Sequence, residues 1–489
     1  MNLAKAIEVP NATSPASEPA MEEYDLVVLG SGEAGKYLAW TLGKQGKRVA
    51  LIERKYIGGS CPNIACLPSK NVIHSAKVAS YFGRAEEFGV NSNGFAIDMA
   101  QVRERKRKMV HDLVEIHLAN FKGSGVELIV GNGVFVAPHT IEVELPSGGI
   151  RTVRGEKIVV STGSQAAIDD IPGLLAALPM THVELLELDY VPRHLIVLGG
   201  GFVGLELAQA MRRFGSEVTV IDRHDRLLYQ EDDDVSREMQ QLMEAEDIQL
   251  HLGATVRDVS GQSGDSVKVR IITDGGEESI DGTDLLVATG RMPNTRGIGL
   301  EAVGVKLLEN GHIEVNERLE TTAMRVWAVG DCAGSPQFTH IAFDDFRILR
   351  DNFSGGNRVT TGRQVPHCLF TDPEFARVGL TEIEAQEKGI NYRLAKIPMA
   401  SVLRTRTLSE KRGFLKALVA ADSDRILGFT AIGVDAGEIM GAMQIAIIAG
   451  LPYTALRDAV LTHPTLLEGL VGLFSSMPQL KVNRVSVEL

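Results

Sequence analysis

The sequence predicts an α/β protein with two dinucleotide-binding units and a separate α+β domain in its C-terminal part. Two segments, starting at Tyr24 and His194, share the pattern of apolar strand, glycine turn, helix and second apolar strand. Further apolar segments end in Thr-Gly between and after these units, as VVSTGS and LLVATGR. Beyond Gly355, strand-like pieces such as GFLKALVAA and ILGFTAIG alternate with helical stretches such as GEIMGAMQIAIIAG, which is typical of an α+β domain.

Each unit carries a G-x-G-x-x-G turn between its first strand and its helix. The first glycine allows the tight turn, the second lets the backbone approach a pyrophosphate, and the third lets helix and strand pack closely. An acidic residue ends the second strand of each unit, Glu53 and Asp222, where it can accept a hydrogen bond from a ribose hydroxyl. The two units therefore predict two Rossmann-like domains, with turn residues Gly30, Gly32 and Gly35, and Gly199, Gly201 and Gly204.

Glycines with a purely structural role are the alternative explanation, because the chain has 50 glycines. A single G-x-G-x-x-G would be weak evidence. Two copies, each followed by an acid about 20 residues later, favour two bound dinucleotides. Two dinucleotides in one chain point to electron transfer between cofactors.

Composition argues against several classes of partner. The formal net charge of −13 disfavours a nucleic-acid-binding face, and the basic run 103–108 is interpreted as a solvated helix face. No apolar run reaches about 18 residues, so no membrane span is predicted. Residues 1–21 are expected to form a flexible polar lead, not a signal peptide. With only four cysteines, the chain is not expected to be a secreted scaffold built on disulfides. We expect a cytoplasmic location.

The segment GGSCPNIACLPSK, residues 58–70, contains the strongest chemical signal. Cys61 and Cys66 are separated by four residues, which is an unusual spacing for zinc. Pro62 suits the first position of a helix, which would place the Cys61 sulfur near a helix N-terminus where a thiolate is favoured. A five-residue step at a helix start can bring two sulfurs close enough to bond. Two inert buried cysteines are the alternative.

This segment resembles the redox-active disulfide motif of the class I pyridine nucleotide-disulfide oxidoreductases, which include lipoamide dehydrogenase, glutathione reductase and mercuric reductase. The resemblance runs from Glu22 through nearly the whole chain, with several motifs in the same order. It implies an FAD-binding domain in residues 22–165 and 285–355, an NAD(P)-binding domain in 166–284 and a dimerisation domain in 356–489.

The resemblance also implies roles for individual residues. Cys66 would be the charge-transfer thiolate beside the flavin, and Cys61 would be the interchange thiol that attacks the substrate. Lys70 would lie near flavin N5 and pair with Glu206. Gly199, Gly201 and Gly204 would bind the nicotinamide dinucleotide. The remaining cofactor-binding residues would be Gly30, Ser31, Gly32, Gly35, Glu53 and Asp331 for FAD, with Thr162, Gly163, Gly290 and Arg291 in two Thr-Gly crossings.

The C-terminal segment LTHPTLLEGL matches the family's H-P-T-x-x-E. His463 would be the acid–base group and Glu468 would orient it, because a thiol needs a histidine to take its proton and a carboxylate can stabilise the imidazolium. In the family this pair serves the other subunit, so the resemblance implies a homodimer with a shared active site. An isolated His-Pro would be weaker evidence, since surface or core histidines are common.

The nicotinamide preference stays open at this point. Asp222 lies where NAD-using members carry an acid for the 2′-hydroxyl, and its charge would repel a 2′-phosphate. Arg223 and His224 follow it and resemble the Arg-His pair with which glutathione reductase binds that phosphate. The sequence therefore predicts NAD(P)H without a choice between the two.

The electron acceptor is expected to be a disulfide, a metal ion or another small molecule. The family often has a second histidine where this chain has Leu461, and Pro62 and Ala65 depart from the usual lipoamide dehydrogenase motif. The tail from Ser475 lacks the cysteine pair of mercuric reductases, and Cys332 and Cys368 are interpreted as buried small residues. The alternatives are dihydrolipoyl dehydrogenase activity and a low-turnover flavin-bound protein for redox sensing or interaction.

Overall fold

A computed structural model describes residues 21–91 and 94–479. The predicted polar lead lies outside the described residues except for Met21, and so does the tail from residue 480. The chain divides into two compact units. The first contains residues 21–57, 118–163 and 295–359, and the second contains 58–117, 164–294 and 360–479.

The described residues form strands and helices throughout the chain. The strands are β1 (Glu22–Leu29), β2 (Val49–Glu53), β3 (Glu127–Val130), β4 (Asn132–Ala137), β5 (Thr140–Glu144), β6 (Ile150–Val160), β7 (Ser164–Ala166), β8 (His194–Leu198), β9 (Glu217–Ile221), β10 (Gln249–His251), β11 (Thr255–Gln262), β12 (Ser266–Thr273), β13 (Gly276–Gly282), β14 (Asp284–Val287), β15 (Arg291–Pro293), β16 (Val326–Ala328), β17 (His367–Leu369), β18 (Glu374–Gly379), β19 (Tyr392–Pro398), β20 (Phe414–Ala420) and β21 (Ile426–Gly433).

The helices are α1 (Glu33–Lys44), α2 (Ser60–Asn63), α3 (Cys66–Gly83), α4 (Met99–Ser124), α5 (His182–Leu185), α6 (Phe202–Phe214), α7 (Asp233–Ala245), α8 (Thr339–Phe353), α9 (Glu382–Glu387), α10 (Leu403–Thr407), α11 (Ala436–Ile448), α12 (Tyr453–Arg457) and α13 (Gly469–Ser475). Short 3-10 turns cover Ala85–Phe88, Glu301–Val303, Gly330–Ala333 and Met399–Ser401.

The first unit is built on one sheet with a parallel core. β3, β2, β1 and β6 are parallel neighbours, β16 pairs in parallel with β6, and β5 and β4 extend the sheet in antiparallel order. Leu38 and Trp40 of α1 and Phe346 and Leu349 of α8 pack in the same buried cluster on this sheet. Because the core strands are parallel, their carboxyl ends form one edge, where α1 begins.

The second unit holds a smaller parallel sheet in the order β10-β9-β8-β14 and an antiparallel sheet β11-β12-β13. Its C-terminal part is a five-stranded antiparallel sheet in the order β17-β18-β21-β20-β19. Phe429 of β21, Met443 of α11 and Phe474 of α13 are buried together in the core of that part. The predicted class, two α/β dinucleotide-type folds with a C-terminal α+β domain, is confirmed.

Strand pairing divides the chain differently from the predicted domain boundaries. β14 pairs in parallel with β8, with Leu285 opposite Ile196, so residues 285–294 belong with the second unit and not with the first. The first unit resumes at Thr295. Residues 58–117, predicted within the FAD-binding domain, also lie in the second unit.

The basic run on α4 is only partly solvated. Lys106 has 2% of its surface exposed and pairs with Glu187, and Arg107 pairs with the same carboxylate at 2.8 Å. Arg103 binds Asp189 at 2.9 Å. The predicted solvated face is therefore wrong for Lys106, because these cations hold the 187–189 segment against the helix.

Lys416 on β20 is fully buried among three carboxylates. Its Nζ lies 2.8 Å from Asp232, 2.7 Å from Asp234 and 3.1 Å from Glu382. Lys396 on the neighbouring strand also pairs with Asp234, at 2.6 Å, but its side chain is 38% exposed. Removing the cation from a buried cluster leaves carboxylates without a counter-charge, whereas water screens the exposed pair.

We expect Lys416→Met to lower the free energy of unfolding by about 3–5 kcal/mol. The matched variant Lys396→Met should cost about 1 kcal/mol or less. Urea denaturation followed by circular dichroism measures both. Equal losses in the two variants would contradict the assignment of the buried lysine as the neutralising cation.

Candidate active site

The first glycine turn connects β1 to α1 at the carboxyl edge of the first sheet. The Gly30 N–H donates to the Ile52 carbonyl of β2 at 2.8 Å, and Gly30 has a φ of 100°. A Cβ at this position would lie 2.4 Å from the Ser161 carbonyl oxygen just beyond β6. Only glycine fits this turn, so the close approach brings the start of α1 next to the end of β6.

Glu53 holds the same turn in place and is 8% exposed. Its Oε2 accepts hydrogen bonds from the Ser31 N–H at 2.8 Å and the Ser31 hydroxyl at 2.6 Å. Its Oε1 accepts from the Lys55 and Tyr56 N–H groups at 2.8 and 3.0 Å. A carboxylate at this position suits a hydrogen bond from a ribose hydroxyl.

Thr162, Gly163 and Asp331 follow the carboxyl ends of two parallel strands. β6 ends at Val160 and β16 ends at Ala328, so all three residues lie at the edge that carries the Gly30 turn. Backbone N–H groups, a helix N-terminus and a carboxylate suit a ligand that carries both phosphates and hydroxyls. This donor and acceptor set therefore fits the adenosine diphosphate and ribityl parts of FAD.

The second glycine turn repeats the geometry of the first. The Gly199 N–H donates to the Ile221 carbonyl of β9 at 2.8 Å, and a Cβ on Gly199 would lie 2.5 Å from the Ala288 carbonyl oxygen. At Gly201 a Cβ would meet nothing within 4 Å. Packing within the chain does not require glycine there, whereas a bound pyrophosphate would. The turn therefore fits a second dinucleotide.

Asp222 is fixed by three hydrogen bonds at the end of β9. Its Oδ2 accepts from the Gly200 N–H at 2.6 Å, and its Oδ1 contacts the His224 N–H and Nδ1, both at 2.8 Å. The His224 ring also stacks on Tyr229, with ring centres 3.7 Å apart. Arg223 is exposed. The Asp222 carboxylate, fixed by these hydrogen bonds, thus occupies the position that would meet the 2′-hydroxyl or 2′-phosphate of a nicotinamide cofactor.

Gly290 and Arg291 follow β14 and enter the short antiparallel pair of β15 and β7. The Arg291 guanidinium donates to the Ser164 hydroxyl at 2.8 Å and to the Ser164 carbonyl at 3.0 Å. These two hydrogen bonds link the residues that directly follow the two Thr-Gly pairs, since Ser164 follows Gly163 and Arg291 follows Gly290.

Both cysteines of the predicted pair are half-buried. Cys61 is the second residue of the one-turn helix α2, and Cys66 is the first residue of the 18-residue helix α3. The prediction that Pro62 begins a helix is wrong, since it is the third residue of α2. The long helix therefore begins at Cys66, where the partial positive charge of its N-terminus stabilises an anionic sulfur.

Lys70 lies one helical turn after Cys66 on α3 and pairs with Glu206 of α6. The Nζ–Oε2 distance is 2.7 Å, and the Glu206 side chain is only 6% exposed. The second oxygen of Glu206 accepts from the Phe370 N–H at 2.9 Å, and the Lys70 Nζ lies 4.7 Å from the centre of the Phe370 ring. Sequence reasoning gave this ion pair through the resemblance but missed Phe370, which no motif marks.

The other two cysteines have environments that oppose ionisation. Cys332 is fully buried, and burial raises the pKa of its thiol. Burial and the nearby Glu374 carboxylate raise the pKa of the Cys368 thiol. The interpretation of Cys332 as a buried small residue is confirmed, whereas Cys368 is half-buried. Neither thiol is suited to nucleophilic chemistry at neutral pH.

His463 and Glu468 form a pair in the segment before α13. The His463 Nδ1 lies 3.0 Å from both carboxylate oxygens, and this hydrogen bond lowers the pKa of Glu468. With the proton on Nδ1, the imidazole donates to Glu468 and presents Nε2 as a base. The His463 side chain is 63% exposed on this chain.

Two dinucleotide turns and a cysteine pair are the parts of a two-cofactor electron-transfer protein. The family model described as pyridine nucleotide-disulphide oxidoreductase matches residues 24–345, and the dimerisation domain of the same family matches 365–473. The chain belongs to this family, whose members depend on FAD and use NAD(P)H as electron donor. The dimerisation domain supports a homodimer.

Relatives cover almost the whole chain. The probable pyridine nucleotide-disulfide oxidoreductase RclA of Escherichia coli is 36% identical over 93% of this chain and 99% of its own length. Mercuric reductase of Staphylococcus aureus is 33% identical, over 92% of this chain and 81% of its own. Mitochondrial dihydrolipoyl dehydrogenase of Dictyostelium discoideum is 32% identical, over 92% and 93%.

Solved structures support the same assignment. The chain resembles a structure described as the Cu(II) complex of the HOCl-induced flavoprotein disulfide reductase RclA from Escherichia coli, with a TM-score of 0.85 and 35% identity. That match covers 93% of this chain and 99% of the RclA chain. Among residues 21–91 and 94–479, no helix has the length and apolar character needed to cross a membrane.

Asp222 should govern the choice between the two nicotinamide cofactors. We expect Asp222→Ala to shift the ratio of kcat/KM for NADH over NADPH toward NADPH by on the order of 10-fold, because the variant loses the anion that would repel a 2′-phosphate. Steady-state kinetics with both cofactors gives this ratio. A loss of activity that affects NADH and NADPH equally leaves the ratio unchanged. Arg223→Ala is the control for a direct phosphate contact. An unchanged ratio in Asp222→Ala would refute the role of the carboxylate.

Proposed function

We propose that this protein is an NAD(P)H-dependent flavoprotein reductase that passes electrons through Cys61 and Cys66 to a disulfide or a thiophilic metal ion. The observation that carries the proposal is the placement of the pair at the start of α3, one turn before the Lys70–Glu206 ion pair. This arrangement provides an anion-stabilising position for one sulfur and, one helical turn later, a cation that a buried carboxylate holds in place.

Bound FAD supplies the conversion of a hydride from the nicotinamide into two electrons for the cysteine pair. Toward this cofactor the chain would use the Gly30 turn, Glu53 and Asp331. Lys70, which Glu206 holds in one position, would be the cation that stabilises negative charge on the reduced cofactor.

The cysteine chemistry balances for a disulfide acceptor. Two electrons and a proton break the Cys61–Cys66 bond and leave a thiol on Cys61 and a thiolate on Cys66. His463 takes the Cys61 proton, and the Cys61 thiolate attacks the acceptor, which forms a mixed disulfide and releases one thiolate. That thiolate receives the proton from His463. Cys66 then attacks Cys61, which restores their disulfide and releases the second thiolate to be protonated from water.

A metal ion is the second acceptor class within the same proposal. The supporting observations are the description of the RclA structure as a Cu(II) complex and the similarity to mercuric reductase. Two thiolates are good ligands for soft metal ions. Oxidation of the two cysteine thiolates to their disulfide would release two electrons. These electrons would reduce two Cu(II) ions by one electron each.

We also propose a homodimer with a shared active site, in which His463 and Glu468 serve the cysteine pair of the other subunit. The dimerisation-domain match and the 63% exposure of the His463 side chain support this arrangement. Glu468 would orient the imidazole and stabilise its charge after proton uptake.

Dihydrolipoyl dehydrogenase activity is the alternative function, favoured by the 32% identity to the Dictyostelium enzyme. The two functions differ in the direction of electron flow. Rapid reduction of NAD by dihydrolipoamide would support the alternative, whereas turnover of NADH or NADPH only with Cu(II), Hg(II) or glutathione disulfide would support the reductase.

Serine variants of the two cysteines should have different effects, because the two sulfurs have different roles in the proposed mechanism. We expect Cys61→Ser to lower acceptor turnover at least about 100-fold while NAD(P)H still reduces the flavin, because the interchange nucleophile is lost. Cys66→Ser should abolish turnover and also the long-wavelength absorbance produced by a thiolate beside the flavin. Stopped-flow spectroscopy and a panel of acceptors with both nicotinamides measure these effects.

Cys368→Ala is the matched control, since Cys368 is another half-buried cysteine of the same unit. It should keep turnover within about twofold of the unsubstituted protein, because its thiol resists ionisation. Undiminished turnover in Cys61→Ser with every acceptor would show that electrons leave the protein by another route.

A further inference from the structure

A carboxylate on α8 binds the turn that carries Asp331. Asp345 is fully buried, and its Oδ2 accepts hydrogen bonds from the Gly330 N–H at 2.7 Å and the Ser335 hydroxyl at 2.8 Å. These two donors lie on either side of Asp331 in the sequence. One oxygen atom therefore closes the turn from both ends.

The turn also contacts the first sheet through Cys332. The Cys332 thiol lies 3.6 Å from the Val160 carbonyl of β6, and the Cys332 carbonyl accepts from the Ile313 N–H at 2.8 Å. Gly330 itself has a φ of 67°, a left-handed conformation that glycine adopts readily and that other residues rarely adopt. Asp345 and the contact with β6 therefore both hold the turn that carries Asp331.

A buried carboxylate is costly unless its hydrogen bonds are satisfied, so its presence at this place calls for an explanation. Two donors to it, the Gly330 N–H and the Ser335 hydroxyl, belong to the turn. Charge-assisted hydrogen bonds of this kind are stronger and more directional than neutral ones. Their effect is to fix the direction in which the Asp331 side chain leaves the turn.

We propose that Asp345 is a positioning residue for FAD binding, which acts by holding the Gly330–Ser335 turn so that Asp331 meets the ribityl chain. This inference rests on the proposed role of Asp331. It adds a residue that lies 14 positions after Asp331 in the sequence.

The test compares Asp345→Ala with a buried carboxylate of similar contacts elsewhere. Asp284 is 1% exposed and accepts from the Tyr190 and Thr283 hydroxyls, both at 2.7 Å, at the amino end of β14. FAD affinity is measured by fluorescence quenching on apoprotein, and urea denaturation of the same apoprotein measures its stability. We expect the Kd for FAD to rise at least about 10-fold in Asp345→Ala and to stay within about twofold in Asp284→Ala.

Asp345→Asn keeps an acceptor oxygen and should recover part of the affinity, which also provides a folded variant if the alanine variant does not fold. Asp331→Asn should weaken FAD binding as well, and unchanged affinity there would overturn the inference. Equal weakening of FAD binding in the Asp345 and Asp284 variants would also overturn it. So would a change in FAD affinity that the loss of apoprotein stability fully explains. No electron acceptor is present, so the result is independent of whether Cys61 and Cys66 turn over.

Discussion

The structure depends on a repeated close approach between a glycine and a strand-end carbonyl. Gly30 meets the Ser161 carbonyl and Gly199 meets the Ala288 carbonyl at distances that exclude any Cβ. This contact sets each helix N-terminus directly over the carboxyl edge of a parallel sheet, where strand-end residues such as Asp331 and Asp222 also gather. Each unit thereby has an anion-binding turn and a carboxylate in one place, which is what a dinucleotide requires.

The redox residues are arranged by a second constraint, the helical spacing of α3. Cys66 begins the helix and Lys70 follows one turn later, so an anion-stabilising position and a cation lie on the same face. Glu206 fixes the cation, and the Phe370 backbone fixes Glu206. The chain thus joins a helix N-terminus, an ion pair and a main-chain hydrogen bond from three separate segments, which explains why the cysteine motif alone is an incomplete description of the site.

Much of this could be predicted from the sequence because it is local. The glycine turns, the acids that end β2 and β9 and the strands β20 and β21 follow from spacing within about 30 residues. Features that depend on distant segments could not be predicted. Nothing in the sequence marks Asp345 as the acceptor for Gly330, or Lys106 as buried against Glu187. Pro62 suggested a helix start, but a separate single turn precedes α3, so the long helix begins at Cys66 instead.

The central claim is that Cys61 and Cys66 form and break a bond under the control of NAD(P)H. Thiol counting tests it most directly: protein is treated anaerobically with or without NADH or NADPH, unfolded in acid and titrated with a thiol reagent. The account predicts that all four cysteines react after reduction, and that only Cys332 and Cys368 react in the oxidised protein. The same thiol count in both samples would contradict it.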